Sequence, residues 1–276
     1  MNTKAVIDEM SPFPPTWKFE KFYKRQRRKH TLSVANIIEN SLNVDDCLTK
    51  IRNISKRKIN VIERRTILQA KNEDWFFYRK GVITGTITCR VSNSVKKGIS
   101  SDTVNASISK RDYLPLYYPA VIWGRDCEDL GIAAFMKTMK PLHYNLRVSR
   151  AGLRLDESDH FIGASIDGLV ECACCEPAIL EVKCPYSIRD GTVTDNGKNL
   201  QYLTDDLKLK QNHPYYYQLQ TYLGVYKCKL GYFCVYTPRD VLILRIDFDE
   251  NFWKNLKNDL RTYYEHHYLK DIFSAV

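Results

Sequence analysis

Apolar residues recur at three- and four-residue steps through the first third of the chain: Val34, Ile37 and Ile38, then Ile59, Ile62, Leu68 and Trp75. That period predicts helices, each with one buried stripe. The prolines at positions 12, 14 and 15 set a loose leader over residues 1–17 apart from a helical region over 18–73. A polar stretch from Ser92 to Arg111 (SNSVKKGISSDTVNASISKR) interrupts the pattern, and a second helical segment runs from about Ala120 to Met139, limited by Pro141. The period then shortens to two in LRVSRAGLRLD (146–156), HFIGASIDGLV (160–170) and AILEVKC (178–184), which predicts three successive strands in an antiparallel meander. A helix over about His213–Lys227, the strands GYFCVYT (231–237) and VLILRIDF (241–248), and a closing helix from near Asn251 complete the order α-β-β-β-α-β-β-α. A mixed sheet with helices packed on it, an α/β (α+β) architecture, is the simplest way to bury these faces.

Composition removes several classes of protein and adds one pointer. At 276 residues, 44% hydrophobic and 27% charged, the chain has a globular composition; it holds no apolar run long enough to span a bilayer. The first residues, MNTKAVIDEMSPFPPTW, lack the basic-then-apolar order of a signal peptide, so an intracellular protein without membrane association is expected. The nine cysteines are then expected as reduced thiols. Net charge is +10, and its position matters more than its size. Residues 1–80 hold 18 Lys+Arg against 9 Asp+Glu, leaving 24 against 23 for residues 81–276. The excess comes mainly from Lys18–Lys29 (KFEKFYKRQRRK) and Lys50–Arg65. Lys24, Arg25, Arg27 and Arg28 are therefore candidate contacts to a DNA backbone, with a solvated helical face or a nuclear-import patch as the other readings.

The candidate chemistry lies in the strands. Alternation places Ile179, Glu181 and Lys183 on one face of their strand and Leu180, Val182 and Cys184 on the other. If residues 160–170 and 178–184 form a hairpin whose loop centres on Cys174, Asp167 stands opposite Glu181, with side chains about 5 Å apart. Two carboxylates at that distance raise each other's pKa unless a cation lies between them. Hard oxygen donors beside a lysine suit Mg²⁺, or Mn²⁺ in its place, better than zinc. An Asp-Gly turn and a solvent-facing Glu-x-Lys pair are the alternative reading of the same residues.

The segments WGRDCE (123–128), SIDG (165–168), ILEVKCPYSIRD (179–190), YYYQLQTYL (215–223) and YFCVYTPRD (232–240) together resemble the phage-lambda-exonuclease-like, YqaJ viral recombinase branch of the PD-(D/E)xK nucleases. YRKGVITGT (78–86) is similar to that family's R-x-G-x-I-T-A-S box, and the resemblance covers about residues 74–250 in the family's order. It implies a restriction-endonuclease-like nuclease domain over 74–276, behind the basic helical region. It implies that Asp167, Glu181 and the backbone carbonyl of Val182 hold a divalent metal, with Glu128 contributing from its helix. Lys183 would orient or help deprotonate the attacking water, Gln218 would sit beside that water, and Arg79 and Thr86 would hold a terminal 5′-phosphate. The implied activity is Mg²⁺-dependent hydrolysis of DNA, foremost as an exonuclease on linear duplex ends. An endonuclease of the same superfamily and a non-cutting recombination scaffold are the alternatives. Lambda-type relatives form ring trimers, so a homo-oligomer and a single-strand annealing partner protein are implied as well. Two positions depart from the pattern: Ile166 replaces the usual Pro before the catalytic Asp, and Gly85-Thr86 replaces Ala-Ser.

Gln220, one step off the core of its box, reads as a satisfied polar residue, and Arg79 has a surface ion pair as its other reading. Cys172 and Cys175 have the C-x-x-C spacing that can open a zinc site, but no second ligand pair of matching spacing follows. Free thiols at the hairpin tip are expected. There is no G-x-S-x-G elbow, H-E-x-x-H or phosphate-cradling glycine loop, so serine hydrolase, zincin and P-loop readings lack their defining residues.

Overall fold

The computed structural model describes residues 33–109 and 118–274. Four short helices open it: α1 (Val34–Glu39), α2 (Val44–Arg52), α3 (Lys56–Arg65) and α4 (Glu73–Tyr78). The side chains of Ser33, Asn43 and Asn72 accept the backbone N–H of Asn36, Asp46 and Asp74, capping α1, α2 and α4. In α2, Asp45 and Asp46 in the first turn and Lys50 and Arg52 in the last complement the helix dipole. Strand β1 (Ile83–Thr84) leads into α5 (Thr88–Lys96) and α6 (Asp102–Ser109).

These last two helices occupy most of the polar 92–111 stretch, which composition reads as an interruption. Buried serines share their packing faces with Val91, Val104 and Ile108. Ser92 and Ser107 are buried and donate to the Asp259 carboxylate and the Thr103 carbonyl, so their hydroxyls enter the core with partners.

The long helix α7 (Pro119–Met139) begins with Pro119 in its first turn and gives way at Lys140–Leu142 to a 3₁₀ turn containing Pro141. Strands β2 (Arg147–Ser149), β3 (Arg154–Leu155), β4 (Ile162–Ala164), β5 (Gly168–Glu171) and β6 (Ala178–Lys183) follow, then α8 (Val193–Asn196), α9 (Pro214–Tyr226), β7 (Leu230–Tyr236), β8 (Val241–Asp247) and α10 (Glu250–Tyr263). A π-helical turn over Tyr264–Leu269 joins α10 to α11 (Lys270–Ser274).

The main sheet has the order β2-β5-β6-β7-β8, with β6 and β7 parallel and the other neighbours antiparallel. A second sheet, β1-β4-β3, contains a parallel β1–β4 pair. The simple meander is thus corrected: the segments 146–156 and 160–170 each divide into two short strands that belong to different sheets. Backbone contacts explain both breaks. A Cβ on Gly152 would lie 1.9 Å from the Glu63 carbonyl oxygen, so the chain there is pressed against α3. At 165–167 the Ser165 hydroxyl and the Ile166 carbonyl bond to Trp75 and Gln69 of the N-terminal region.

The main sheet is a layer between two helices. Ile179, Phe233 and Val235 join Leu219, Tyr222 and Leu223 of α9 in the larger core, which also takes in Ile51, Ile59 and Ile62 of the N-terminal helices. Ala178, Leu180, Val182 and Cys234 face Phe135 of α7 on the other side. A Cβ on Gly131 would fall 2.5 Å from Cγ1 of Val182, so glycine there lets α7 approach β6 closely. No helix among the described residues is long and apolar enough to cross a membrane.

Candidate active site

Strands β5 and β6 pair Gly168 with Leu180, Leu169 with Ile179 and Val170 with Ala178. Continued by one step, that register sets Asp167 opposite Glu181, as hairpin symmetry about Cys174 requires. Asp167 N–H donates to the Leu180 carbonyl at 3.2 Å, and Val182 N–H donates to Asp167 Oδ2 at 2.7 Å, fixing the first carboxylate at the mouth of the hairpin. Glu181 is 3% exposed and Asp167 9%.

Glu181 Oε1 accepts from Lys183 Nζ at 2.5 Å and from Gln218 Nε2 at 2.8 Å. Its other oxygen, Oε2, is buried without a hydrogen-bond partner. The Gln218 amide also reaches the Tyr222 hydroxyl at 2.7 Å, and the Lys183 ammonium lies 4.7 Å from the centre of the Tyr215 ring. Glu128 arrives from α7 and pairs with Arg150, which also holds Asp129. Glu128, Asp167, Glu181, Val182, Lys183 and Tyr215 line one cavity of ≈ 290 Å³.

Burial pushes the Asp167 carboxyl well above the ordinary carboxylate range, and the charges of Glu181 and Glu128 push it further. Burial raises Glu181 as well, opposed by the charge and hydrogen bond of Lys183. Desolvation works against the Lys183 ammonium, but Glu181, Tyr215 and Asp167 outweigh it and hold the lysine charged, above its ordinary value. Of the three carboxylates, Glu128 pairs with Arg150 and Glu181 with Lys183, and Asp167 has no ion pair among the described residues. A buried carboxylate oxygen without a partner, beside a second carboxylate, is a donor set that suits a hard divalent cation.

The residues of the 78–86 box are not part of this cavity's lining. The Arg79 guanidinium stacks 3.7 Å from the centre of the Trp75 ring and donates to Thr84 Oγ1, which is 3.3 Å from the Thr86 hydroxyl. Arg79 makes no ion pair with a carboxylate among the described residues, and burial lowers it to about 10. Thr86 is exposed. Gly85 between them abuts the ring of Tyr222, which joins this box to the Gln218–Glu181 hydrogen bonds.

Gln220 is satisfied, as its position one step along α9 suggests: it donates to the Asp247 carbonyl and accepts from Asp249 N–H. Lys24, Arg25, Arg27 and Arg28 lie outside the described residues. Sequence reasoning passed over Gln69, Trp75, Arg150 and Tyr222. Gln69 Nε2 donates to the carbonyls of Ala151 and Ile166, positions 82 and 97 residues away, and no local pattern signals such a contact. Tyr222, four residues beyond Gln218 on the same helix face, was within reach of a spacing argument.

Residues 74–229 match the profile of the YqaJ-like viral recombinase domain. The chain belongs to this family. No curated protein sequence matches the YqaJ-like chain. Among solved structures it is similar to an alkaline exonuclease (LHK-Exo) from Laribacter hongkongensis, with a TM-score of 0.55 at 19% identity over 74% of this chain and 95% of that one. The same exonuclease in complex with dAMP gives a TM-score of 0.56 at 21% identity, over 74% and 95% of the two chains. The shutoff and exonuclease protein of Kaposi's sarcoma-associated herpesvirus gives 0.55 at 11% identity, over 87% and 80%. At these identities the likeness is one of fold, and the mixed sheet with helices on both faces is the restriction-endonuclease-like fold of these nucleases. The matched profile spans Arg79, Thr86, Glu128, Asp167, Glu181, Val182, Lys183 and Gln218 and stops before β7.

Proposed function

We propose that this YqaJ-like protein is a divalent-metal-dependent deoxyribonuclease that hydrolyses phosphodiester bonds at the ends of linear duplex DNA. The observation that carries this reading is the convergence of Glu128, Asp167, Glu181 and Lys183 in one cavity, with Oε2 of Glu181 buried and unpartnered. Asp167, Glu181, Glu128 and the Val182 carbonyl are the oxygen donors that would hold Mg²⁺, with Mn²⁺ able to substitute. When bound, such an ion supplies positive charge to the phosphate and lowers the pKa of water.

The chain's own groups perform the remaining tasks. Lys183, held charged by Glu181 and Asp167, offsets charge developing on the phosphate and orients water for attack at phosphorus. Gln218 holds the plane of the Glu181 carboxylate through its amide and is itself fixed by Tyr222. Arg79, stacked on Trp75 and without a carboxylate partner among the described residues, is a cation for a terminal 5′-phosphate, linked through the Thr84 hydroxyl to that of Thr86. LHK-Exo, solved in complex with dAMP, and SOX, solved in a complex with DNA, share this fold, which supports a nucleic-acid substrate.

The test is digestion of 5′-phosphorylated linear duplex DNA beside a covalently closed circle, in Mg²⁺ or EDTA, by the parent protein and by Lys183→Ala and Asp167→Ala. Loss of the linear DNA alone, only with metal and only with the parent, is the expected result. Equal cutting by Asp167→Ala or Lys183→Ala would sink the site assignment. Cutting of the circle would make the protein an endonuclease, and binding without cutting would make it a scaffold.

A further inference from the structure

A second cluster of metal-type donors lies at the opposite end of the β5–β6 hairpin from the carboxylates. His143 Nδ1 and the Sγ atoms of Cys172, Cys174 and Cys175 all fall within 4.8 Å of one another, although His143 precedes Cys172 by 29 residues. We propose that these four side chains form a closed, structural Zn²⁺ site.

With Zn–S of ≈ 2.3 Å and Zn–N of ≈ 2.0–2.1 Å, a tetrahedral Cys₃His centre has nitrogen–sulfur edges of about 3.6 Å and sulfur–sulfur edges of about 3.8 Å. His143 Nδ1 lies 3.5, 3.6 and 3.6 Å from the sulfurs of Cys172, Cys174 and Cys175. The sulfur of Cys174 lies 3.4 Å from that of Cys172 and 3.7 Å from that of Cys175. A disulfide needs about 2.05 Å between sulfurs, so these are separate thiols gathered at the spacing of ligands around one ion.

The surrounding backbone supports the same arrangement. Tyr144 N–H donates to Cys174 Sγ at 3.4 Å, a bond that favours thiolate, and Ala173 N–H donates to the Tyr144 carbonyl at 2.8 Å, tying the two ligand segments together. Three thiolates and an imidazole complete a four-coordinate shell with no position left for water, which is the chemistry of a structural rather than a catalytic zinc. Soft sulfur donors also separate this site from the oxygen-lined cavity, where a hard ion fits.

Its position gives the ion a task. His143 follows the turn that ends α7, the helix that carries Glu128, while the three cysteines form the tip of the hairpin that carries Asp167 and Glu181. A zinc bridging them would brace the helix against the hairpin and so hold the three carboxylates at fixed separations. The missing second C-x-x-C pair is replaced by two thiols either side of Ala173, a third immediately after, and one distant histidine.

Elemental analysis of the full-length protein, purified without chelator, tests the proposal directly. The expected content is about one zinc per chain, retained in Asp167→Ala, where the carboxylate site is broken, and lost in Cys172→Ser/Cys175→Ser and in His143→Ala. Strong chelation is expected to lower the melting temperature of the parent by about 5 °C and to leave that of the double variant unchanged. A titration of the chelated parent with Co²⁺ alone needs no variant and should produce the visible bands of a tetrahedral cobalt thiolate. A parent protein that takes up neither zinc nor cobalt at its thiols would overturn the proposal. So would zinc kept by the double variant and lost from Asp167→Ala, or an iron–sulfur chromophore in the isolated protein. None of these outcomes depends on whether the protein cuts DNA.

Discussion

A methyl group added at position 85 would place its carbon 2.5 Å from Cε1 of Tyr222 and 3.3 Å from Cγ of Gln218. The box that this stretch resembles has alanine there, so Gly85 and the large Tyr222 ring are a matched pair in this chain. Gly85→Ala should drive Tyr222 aside and, through the 2.7 Å hydrogen bond to Gln218, misplace the amide that holds Glu181. We expect a loss of about tenfold or more in DNA hydrolysis, with overpacking costing about 1–3 kcal/mol of stability. Gly85→Ala/Tyr222→Leu should recover stability but not full activity; recovery of both would remove Tyr222 from the positioning role. A second residue-scale effect concerns pH. Burial alone would raise Asp159, but bonds from Arg261 at 2.8 and 2.8 Å and the nearby Lys257 outweigh it and hold its carboxyl below the ordinary 3.8. A depressed folded-state pKa gives stability that is full above the unfolded value and is lost as pH falls through the folded one. The parent should therefore lose Asp159's contribution only below about pH 3.8. Arg261→Met brings the folded-state value back up, so less of that contribution exists: the variant should be less stable at neutral pH and should lose less stability than the parent as pH falls below about 3.8, read by denaturant unfolding at pH 7 and pH 3.

At the scale of elements, the strands that carry the carboxylates are braced by helices far away in sequence. The amide of Gln69 bonds to the Ile166 carbonyl at 2.7 Å and to the Ala151 carbonyl at 3.0 Å, and Trp75 Nε1 bonds to the Ser165 hydroxyl at 3.0 Å. These contacts fix the two residues immediately before Asp167. Gln69 already has φ of 46°, so Gln69→Gly keeps that left-handed backbone without strain while removing the side chain that carries the amide. It should cost about 1–3 kcal/mol through the two stranded carbonyls and lower kcat more than it raises KM, as steady-state digestion would reveal. An unchanged kcat would reduce Gln69 to a structural prop. This bracing is also where the sequence stops being legible. The hairpin register, the facing of Glu181 and Lys183 and the bounds of α7, α9, β7 and β8 follow from local period and symmetry, because each depends on neighbours within one or two turns. The division of 146–170 between two sheets depends on Gly152 meeting α3 and on Gln69 and Trp75, contacts that leave no periodic trace. The helices α5 and α6 were hidden for another reason: Ser92 and Ser107 sit among Val91, Val104 and Ile108 on the packing faces and satisfy their hydroxyls by hydrogen bonds, which dilutes the apolar period. His143 was hidden in the same way as Gln69, by distance along the chain.

For the whole molecule, the distribution of charge poses a problem that the fold does not solve at the cavity. Glu128, Asp167 and Glu181 make its floor acidic, and Lys183 is already committed to Glu181, so a polyanion gains little attraction from those groups. The excess of Lys+Arg over Asp+Glu lies in the first 80 residues, 18 against 9, and four of those cations fall at Lys24, Arg25, Arg27 and Arg28. If they contact phosphates, each neutralised phosphate contributes about 0.9 to the slope of log binding constant against log salt. Replacing all four by alanine in the full chain should then flatten that slope by as much as about 3 to 4, weaken binding at low salt, and leave kcat at saturating DNA near that of the parent. Fluorescence anisotropy of a labelled duplex across a salt series measures the slope, and single-turnover digestion measures the rate. A slope equal to that of the parent would assign the cluster to a solvated face or to nuclear import. A fallen kcat with an unchanged slope would instead place the segment at the reacting end of the DNA rather than along its backbone.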